Sequence, residues 1–302
     1  MILKKQKVVF IVVAALIIGG FFGFNLWQSI PRAGELKVAF LDVGQGDAAL
    51  IIAPDKSKIL IDGGPDDKVL GELAAELPFY DRELDLVILT HPHADHLDGL
   101  LAALERYKVK KVLITGVIHT ADNYVKFLEV LKNKNIPVEI AVAGKSFSFG
   151  NATFKILWPD KDLSGERVSG GANESGGLND TSIVARLSFG KSSFLFTGDA
   201  GVDVEARLIA SSRNNAETQN FASLLADVLK VGHHGSTTAS SEEFLSAVAP
   251  EYAIISAGKN NRYGLPSLRT IRKLERLGAK IYQTFEDGRI VFISDGIKVW
   301  KK

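Results

Sequence analysis

Apolar positions in this chain follow three rhythms, and each predicts a different element. The first is an unbroken run: residues 8–27 are twenty consecutive positions without a charge. A helix rising about 1.5 Å per residue over that length crosses the ~30 Å hydrocarbon core of a bilayer. Lys4, Lys5 and Lys7 precede the run, which places the N-terminus on the cytoplasmic side and the body of the chain outside. A cleaved leader has a shorter apolar region, about 7–15 residues, closed by a small-x-small site. Residues 25–32 offer no such site, and Trp27 suits the membrane interface. Residues 1–33 are therefore read as a cytoplasmic N-terminus and an uncleaved, single-pass transmembrane helix.

The second rhythm is a series of short apolar runs broken by turn residues. Residues 37–43, 48–53 and 58–64 read as strands, separated by turns at residues 44–47 and 54–57 that are rich in Gly, Asp, Pro and Ser. Residues 86–89 are apolar throughout, as expected of a strand buried on both faces.

The third rhythm alternates helical and strand patterns. Helices are expected at residues 97–107 and 123–134, strands at 111–115 and near 138, and a strand pair across 145–158. Residues 159–180 carry five glycines and few apolar side chains, so a mobile loop is expected there. Strands follow at 183–187 and 192–199, then a helix from 202 and a polar insert over 211–220. The chain continues with a strand at 226–231, a helix at 241–248, a strand at 252–256, a helix at 267–277 and two or three closing strands. Such alternation implies helices covering sheets, an α/β (α+β layered) domain over residues 34–302.

Composition bounds the chemistry. The 302 residues are 46% hydrophobic and 24% charged, enough for one large domain or two small ones. There is no cysteine, which excludes disulfides and leaves nitrogen and oxygen as the only metal donors. The formal charge is +1, but Lys4, Lys5, Lys7 and Arg32 lie in the first 33 residues, which hold no acid. Residues 34–302 thus set 32 basic side chains against all 35 acidic ones, a net of −3. A protein gripping long nucleic acid by bulk charge is normally basic, so any contact with DNA here needs a local patch.

The strand at 86–89 runs straight into His91, His93, Asp95 and His96, which include three of the six histidines. His and Asp are poor core residues, and crowding them in one loop is costly unless a divalent cation is shared among them. His91 and His93, at i and i+2, point the same way from extended chain, while Asp95 and His96 lie further on and can serve a second ion. Two later strands also end in potential ligands: Asp199 after Thr197 and Gly198, and the pair His233 and His234 before Gly235 and Ser236. An Asp beside glycine at a strand end also has a plain capping role, and this applies to Asp62 as well. Asp42 and Asp47 are read as turn and backbone-capping residues. His119, alone in its loop, is read as a surface or supporting residue.

The His-x-His-x-Asp-His pattern after a strand resembles the metallo-β-lactamase-fold hydrolases. The stretch at 40–48, the Asn179-Asp180-Thr181-Ser182 element and the His-His-Gly-Ser at 233–236 narrow the likeness to the hydrolase domain of ComEC competence proteins, over about residues 36–300. The resemblance implies a four-layer αβ/βα sandwich holding two divalent metal ions, Zn or Mn. One ion would be held by His91, His93 and Asp199. The other would take Asp95, His96, Asp199 and one of His233 and His234, with Asp199 bridging. The remaining histidine of that pair would bind or protonate substrate; the sequence leaves open which. In the family the carboxylate matching Asp62 orients a metal-bound histidine. Asn179 and Asp180 stand where other members carry a third-motif His, so one metal position is thin, completed by water or an oxygen of either residue. Relatives have His-Pro where this chain has Leu265 and Pro266. Lys259, Asn260, Asn261 and Arg262 form either an anion-binding edge or a solvated turn.

These features lead to the expectation of a metal-dependent hydrolase, anchored in the cytoplasmic membrane with its catalytic domain outside. Asp95, His233 and His234 would be catalytic, and single-stranded DNA in a competence-like uptake role would be the phosphodiester substrate. Full ComEC proteins contain a multi-span channel, whereas a single span here implies a stand-alone anchored relative. An envelope polymer such as phosphocholine-bearing teichoic acid is the alternative substrate and suits the net −3. The non-enzyme alternative is a membrane-tethered binding module, for which the missing third-motif His and Leu265 speak.

Overall fold

The computed structural model describes residues 34–168, 177–214 and 224–302. Its first half runs β1 (Leu36–Phe40), β2 (Ala49–Ile52), β3 (Lys58–Ile61), α1 (Lys68–Glu76), β4 (Glu83–Leu84), β5 (Leu86–Ile88), α2 (Ala94–Arg106), β6 (Lys108–Val109), β7 (Val112–Ile114), α3 (Asp122–Asn133) and β8 (Val138–Ile140). Then come β9 (Ser146–Phe149), β10 (Ala152–Trp158), β11 (Val184–Phe189), β12 (Ser192–Phe196), α4 (Val202–Asn214), β13 (Val228–Lys230) and α5 (Glu242–Val248). The chain closes with β14 (Tyr252–Ile255), α6 (Leu268–Arg276), β15 (Lys280–Gln283), α7 (Thr284–Asp287), β16 (Ile290–Ser294) and β17 (Val299–Lys301). The expected membrane helix lies outside the described residues, as do parts of the glycine-rich loop and the polar insert. Among the described residues no helix is long and apolar enough to cross a membrane.

Period-two alternation divides the strands' side chains between layers. In β1, Leu36, Val38 and Phe40 face a core shared with Phe154, Leu187, Phe194, Phe196, Ile254 and Phe292. Their neighbour Ala39 faces the other way, with Leu50, Leu60 and Val87, onto helices α1, α2 and α3. In the second half Leu195, Leu229, Ala253 and Ile255 face outward onto α4, α5 and α6. The result is helices, sheet, sheet, helices. Each wholly buried Phe in the middle layer contributes about 2–3 kcal/mol by leaving water.

One sheet has the order β17-β16-β1-β2-β3-β5-β7-β8 and the other β15-β14-β13-β12-β11-β10-β9. The closing strands return to the first sheet, where β16 pairs antiparallel with β1, setting Leu36 opposite Ser294. From β3 through β8 and from β12 through β15 the neighbours are parallel, so their C-terminal ends emerge at common edges, where α/β proteins place their sites.

Helices α1 and α2 differ from expectation in ways that bear on the site. Helix α1 has no counterpart in the pattern because it is short, contains Gly71 and buries only Val69, Leu73 and Glu76. Glu76 is buried because it pairs with Lys37 of β1 and with Arg289. Helix α2 begins at Ala94, three residues earlier than expected, which puts Asp95 and His96 in its first turn. An acidic side chain there is favoured by the helix dipole.

Candidate metal centre

The site forms where strand ends of both sheets meet. β3 delivers Asp62, β5 delivers Thr90 and His91, and α2 adds Asp95 and His96; from the other sheet β12 leads to Asp199 and β13 to His233 and His234. Two glycines permit the approach. A Cβ at Gly99 would lie 1.8 Å from the Gly63 carbonyl oxygen, so glycine lets α2 press against the turn after β3. A Cβ at Gly46, which has a φ of +138°, would lie 2.1 Å from the Asp95 carbonyl oxygen. There the Asp47 N–H donates to that carbonyl instead, at 3.2 Å.

On the first wall, His91 Nε2 lies 2.9 Å from His93 Nδ1 and 3.9 Å from Asp199 Oδ2. Asp62 accepts from the Thr90 N–H at 2.8 Å and the Thr90 hydroxyl at 2.7 Å. Oδ2, the oxygen that takes the hydroxyl, also sits 2.8 Å from His96 Nδ1, which turns Nε2 of His96 toward Asp199 Oδ2 at 3.4 Å. Asp62 thus orients His96.

On the second wall, His234 Nε2 stands 3.3 Å from Asp95 Oδ2 and 3.4 Å from Asp199 Oδ2. Its Nδ1 is 2.9 Å from the Ser256 carbonyl. His233 is different: it lies at the rim, 3.9 Å from Asp199 Oδ2, with Nδ1 on Thr238 Oγ1 at 2.7 Å and Nε2 3.4 Å from Asn179 Nδ2. The structure places His234, not His233, between the two carboxylates.

Asp47 departs from its expected role as a turn residue. It is buried, with Oδ2 on Lys230 Nζ at 2.6 Å and Oδ1 3.2 Å from His234 Nδ1. Lys230 sits in the register of inward-facing core positions on β13, opposite Phe196 and Ile254. A lysine where an apolar residue belongs was the sequence signal for a buried acidic partner.

Charge is concentrated and mutually dependent. Burial opposes a charge on Asp199, yet His234 and His96 hold its carboxyl well below the usual 3.8. Burial also works against protonating His96 and His234, but Asp199, with Asp62 beside one and Asp47 beside the other, raises both well above 6.5. His91 and His93 go the other way, lowered by burial and by the neighbouring His96. Burial alone would raise Asp95, but His234 and His96 hold it low. For Asp62 burial prevails over its donors and raises the carboxyl.

These residues fit divalent cations. Nε2 of His96, Nε2 of His234 and Oδ1 of Asp199 are buried without a hydrogen-bond partner, which is costly unless something else satisfies them. His91, His96 and Asp199 bring ligand atoms within 4.8 Å of one another, and so do Asp95, His96 and His234. Imidazole nitrogen and carboxylate oxygen suit zinc or manganese.

Other expected residues are placed less centrally. Asn179 is buried beside His233. Asp180 is half-buried, its backbone carbonyl accepting from Trp158 Nε1 at 2.7 Å and its carboxylate lying against Gly201. Asn261 spends its side chain within its own loop, donating to the carbonyls of Gly258 and Leu265 and accepting from the N–H groups of Tyr263 and Leu265. It therefore shapes the loop and has no group left to offer a substrate. Lys259 and Arg262 are exposed. His119 is half-buried, accepting from the Ala121 N–H at 3.4 Å. Leu265 lines the cleft of about 410 Å³ that opens over His93, Asp95, Asp199, His233 and His234. Tyr263 and Gln45 line it too and were not anticipated.

Comparison with known proteins agrees with this geometry. The family model described as the metallo-beta-lactamase superfamily matches residues 41–259. ComE operon protein 3 of Bacillus subtilis is 29% identical over 277 residues, covering 86% of this chain and 33% of that protein. Competence protein ComA of Neisseria gonorrhoeae is 27% identical over 283 residues, covering 92% of this chain and 35% of that protein. The chain thus spans about a third of the length of these relatives. The metallo-beta-lactamase fold protein YhfI from Bacillus subtilis superposes with a TM-score of 0.51 at 14% identity, covering 89% of this chain and 99% of that one.

Proposed function

The chain belongs to the metallo-β-lactamase superfamily and is related to competence proteins, and from that premise we propose that residues 34–302 form a metal-dependent phosphodiesterase acting on DNA outside the cytoplasmic membrane, held there by residues 1–33. One observation carries the reading: His91 and His96 from the β5–α2 segment and His234 from the end of β13 all face a single carboxylate, Asp199, with His93 beside His91 and Asp95 beside His234.

His91, His93 and Asp199 would hold one ion, and Asp95, His96, His234 and Asp199 the other. When bound, such a pair neutralises charge on phosphate oxygens and makes a bound water a nucleophile near neutral pH. The chain supplies the positioning. Asp62 and the Ser256 carbonyl fix the Nδ1 sides of His96 and His234, leaving both Nε2 atoms turned inward. Rigid placement of this kind removes much of the entropic cost of bringing reactants together. His233 is tied at Nδ1 to Thr238 and presents Nε2 at the cleft mouth. Burial lowers its pKa, which favours the neutral ring at that position.

The test is hydrolysis of bis-p-nitrophenyl phosphate and labelled single-stranded DNA by the full chain. Activity should vanish on chelation and return with Mn²⁺ or Zn²⁺, and Asp95→Ala should lower it by about 100-fold. Identical rates with and without metal would leave the binding-module reading in its place. A second substrate is favoured by the net −3 of residues 34–302: release of phosphocholine from teichoic acid without DNA cleavage would identify an envelope-polymer esterase.

A further inference from the structure

Tyr263 has no part in the chemistry above, yet it lines the cleft that opens over Asp199 and His234 while remaining 57% exposed. Two sets of contacts hold it there. Asn261 cross-links the loop beneath it, with Nδ2 at 2.8 Å from the Gly258 carbonyl and 2.6 Å from that of Leu265, and Oδ1 accepting from the Tyr263 N–H at 3.1 Å. The Arg262 guanidinium lies 5.0 Å from the ring centroid and donates to the Tyr263 hydroxyl at 2.9 Å. A ring carried on a cross-linked loop costs less loop ordering when a ligand covers it. The guanidinium also occupies the cation–π position, so a second cation such as a quaternary ammonium is repelled, whereas a flat neutral ring is not.

Charge along the same segment points the same way. Residues 258–276 carry Lys259, Arg262, Arg269, Arg272, Lys273 and Arg276 against the single acid Glu275. Arg276 is engaged with Glu242 and Lys273 with the Ser240 carbonyl, while Lys259, Arg262, Arg269 and Arg272 are exposed. Helix α6, which bears the last of these, is joined to the site where the Ser267 N–H donates to the Gly235 carbonyl at 3.0 Å. A body of net negative charge therefore carries a strip of exposed basic side chains along the chain segment that bears Tyr263. An aromatic ring next to such a strip is the arrangement that holds single strands, the strip tracking phosphates and the ring stacking a base.

We infer that Tyr263 is a base-stacking subsite which selects single-stranded nucleic acid over duplex and over polyol-phosphate chains. A duplex keeps its base faces covered, and a polyol-phosphate chain has none. The inference rests on the proposed function for its chemistry, while its binding step is measured separately.

The experiment uses the metal-loaded full chain and fluorescently labelled phosphorothioate strands, which resist hydrolysis. Binding of a thymidine strand is compared with that of an otherwise identical abasic strand. The thymidine strand should bind about tenfold more tightly. Tyr263→Ala and Tyr263→Leu should each erase that preference, and Tyr263→Trp should keep it. Equal binding of the two strands by the wild type overturns the inference, as does a preference that survives Tyr263→Leu or equal competition by a polyol-phosphate chain. Should the wild type show the Tyr263-dependent preference but cleave no DNA, the subsite stands and the proposed hydrolysis falls.

Discussion

From residues 90 to 96 the site residues follow one another through a strand end into the first turn of α2, and His93 has ordinary extended backbone at the helix start. Across the cleft, His233 and His234 both sit at positive φ, +47° and +53°. So does Asp62, at +55°, beneath the first wall. A side chain held in that region costs about 1–3 kcal/mol and persists only where surrounding bonds require it. Those bonds are present: His233 N–H to the Gly198 carbonyl, Ser236 N–H to the His233 carbonyl, and His234 to Ser256 and Asp47. One wall is a local motif on regular structure, with Asp62 behind it as its single strained residue. The other is assembled under strain from distant segments, and Asp199 is the group that both walls face.

Removing that group should disable both walls at once. Asp199→Asn keeps the volume and loses the charge that faces His91, His96, His233 and His234. Phosphodiester hydrolysis should fall by about three orders of magnitude, the scale of losing a preorganised electrostatic group. Loss of the second ion should accompany it, read as metal content after dialysis. A variant that retains both ions and most of its rate would show that the walls act independently.

The supporting carboxylates separate one wall from the other. Asp62→Asn loosens His96 on the first wall, and Asp47→Asn loosens His234 on the second while leaving Lys230 without its counter-charge. Each should weaken metal binding by about 10–100-fold in calorimetric titration. The Asp47 variant should also lose more thermal stability, because a buried lysine is left unpaired. Equal melting temperatures for the two variants would contradict the difference drawn between the walls.

The smallest effect is in pH dependence. In the metal-free fold His96 and His234 are raised above 6.5. Their contribution to stability is complete below 6.5 and lost as pH rises through the folded-state values. Asp199, Asp47 and Asp95 are lowered below 3.8, so their contribution is present above 3.8 and lost as pH falls. Metal-free stability should therefore peak on the mildly acidic side and decline above it. Cations compete for the positions those protons hold, so the gap in melting temperature between loaded and chelated chain should widen as pH rises. A gap independent of pH would mean that metal and protons do not share the two histidines.

Pattern along the chain was enough for the layered α/β class, the order of most helices and strands, and which strand ends bring His and Asp together. It could do so because periodicity and the grouping at residues 91–96 are local. It did not show the early start of α2, since Ala94, Asp95 and His96 read equally well as turn or helix. Nor did it show α1, whose buried positions are too few to set a period. That His234 rather than His233 faces Asp95 emerges on folding, because two adjacent residues in left-handed backbone point in directions no strand or helix pattern encodes. Only the structure joined Asp47 to Lys230 and Tyr263 to the cleft. Such pairs lie far apart along the chain, and a buried charge finds its partner through the packing of one sheet on the other.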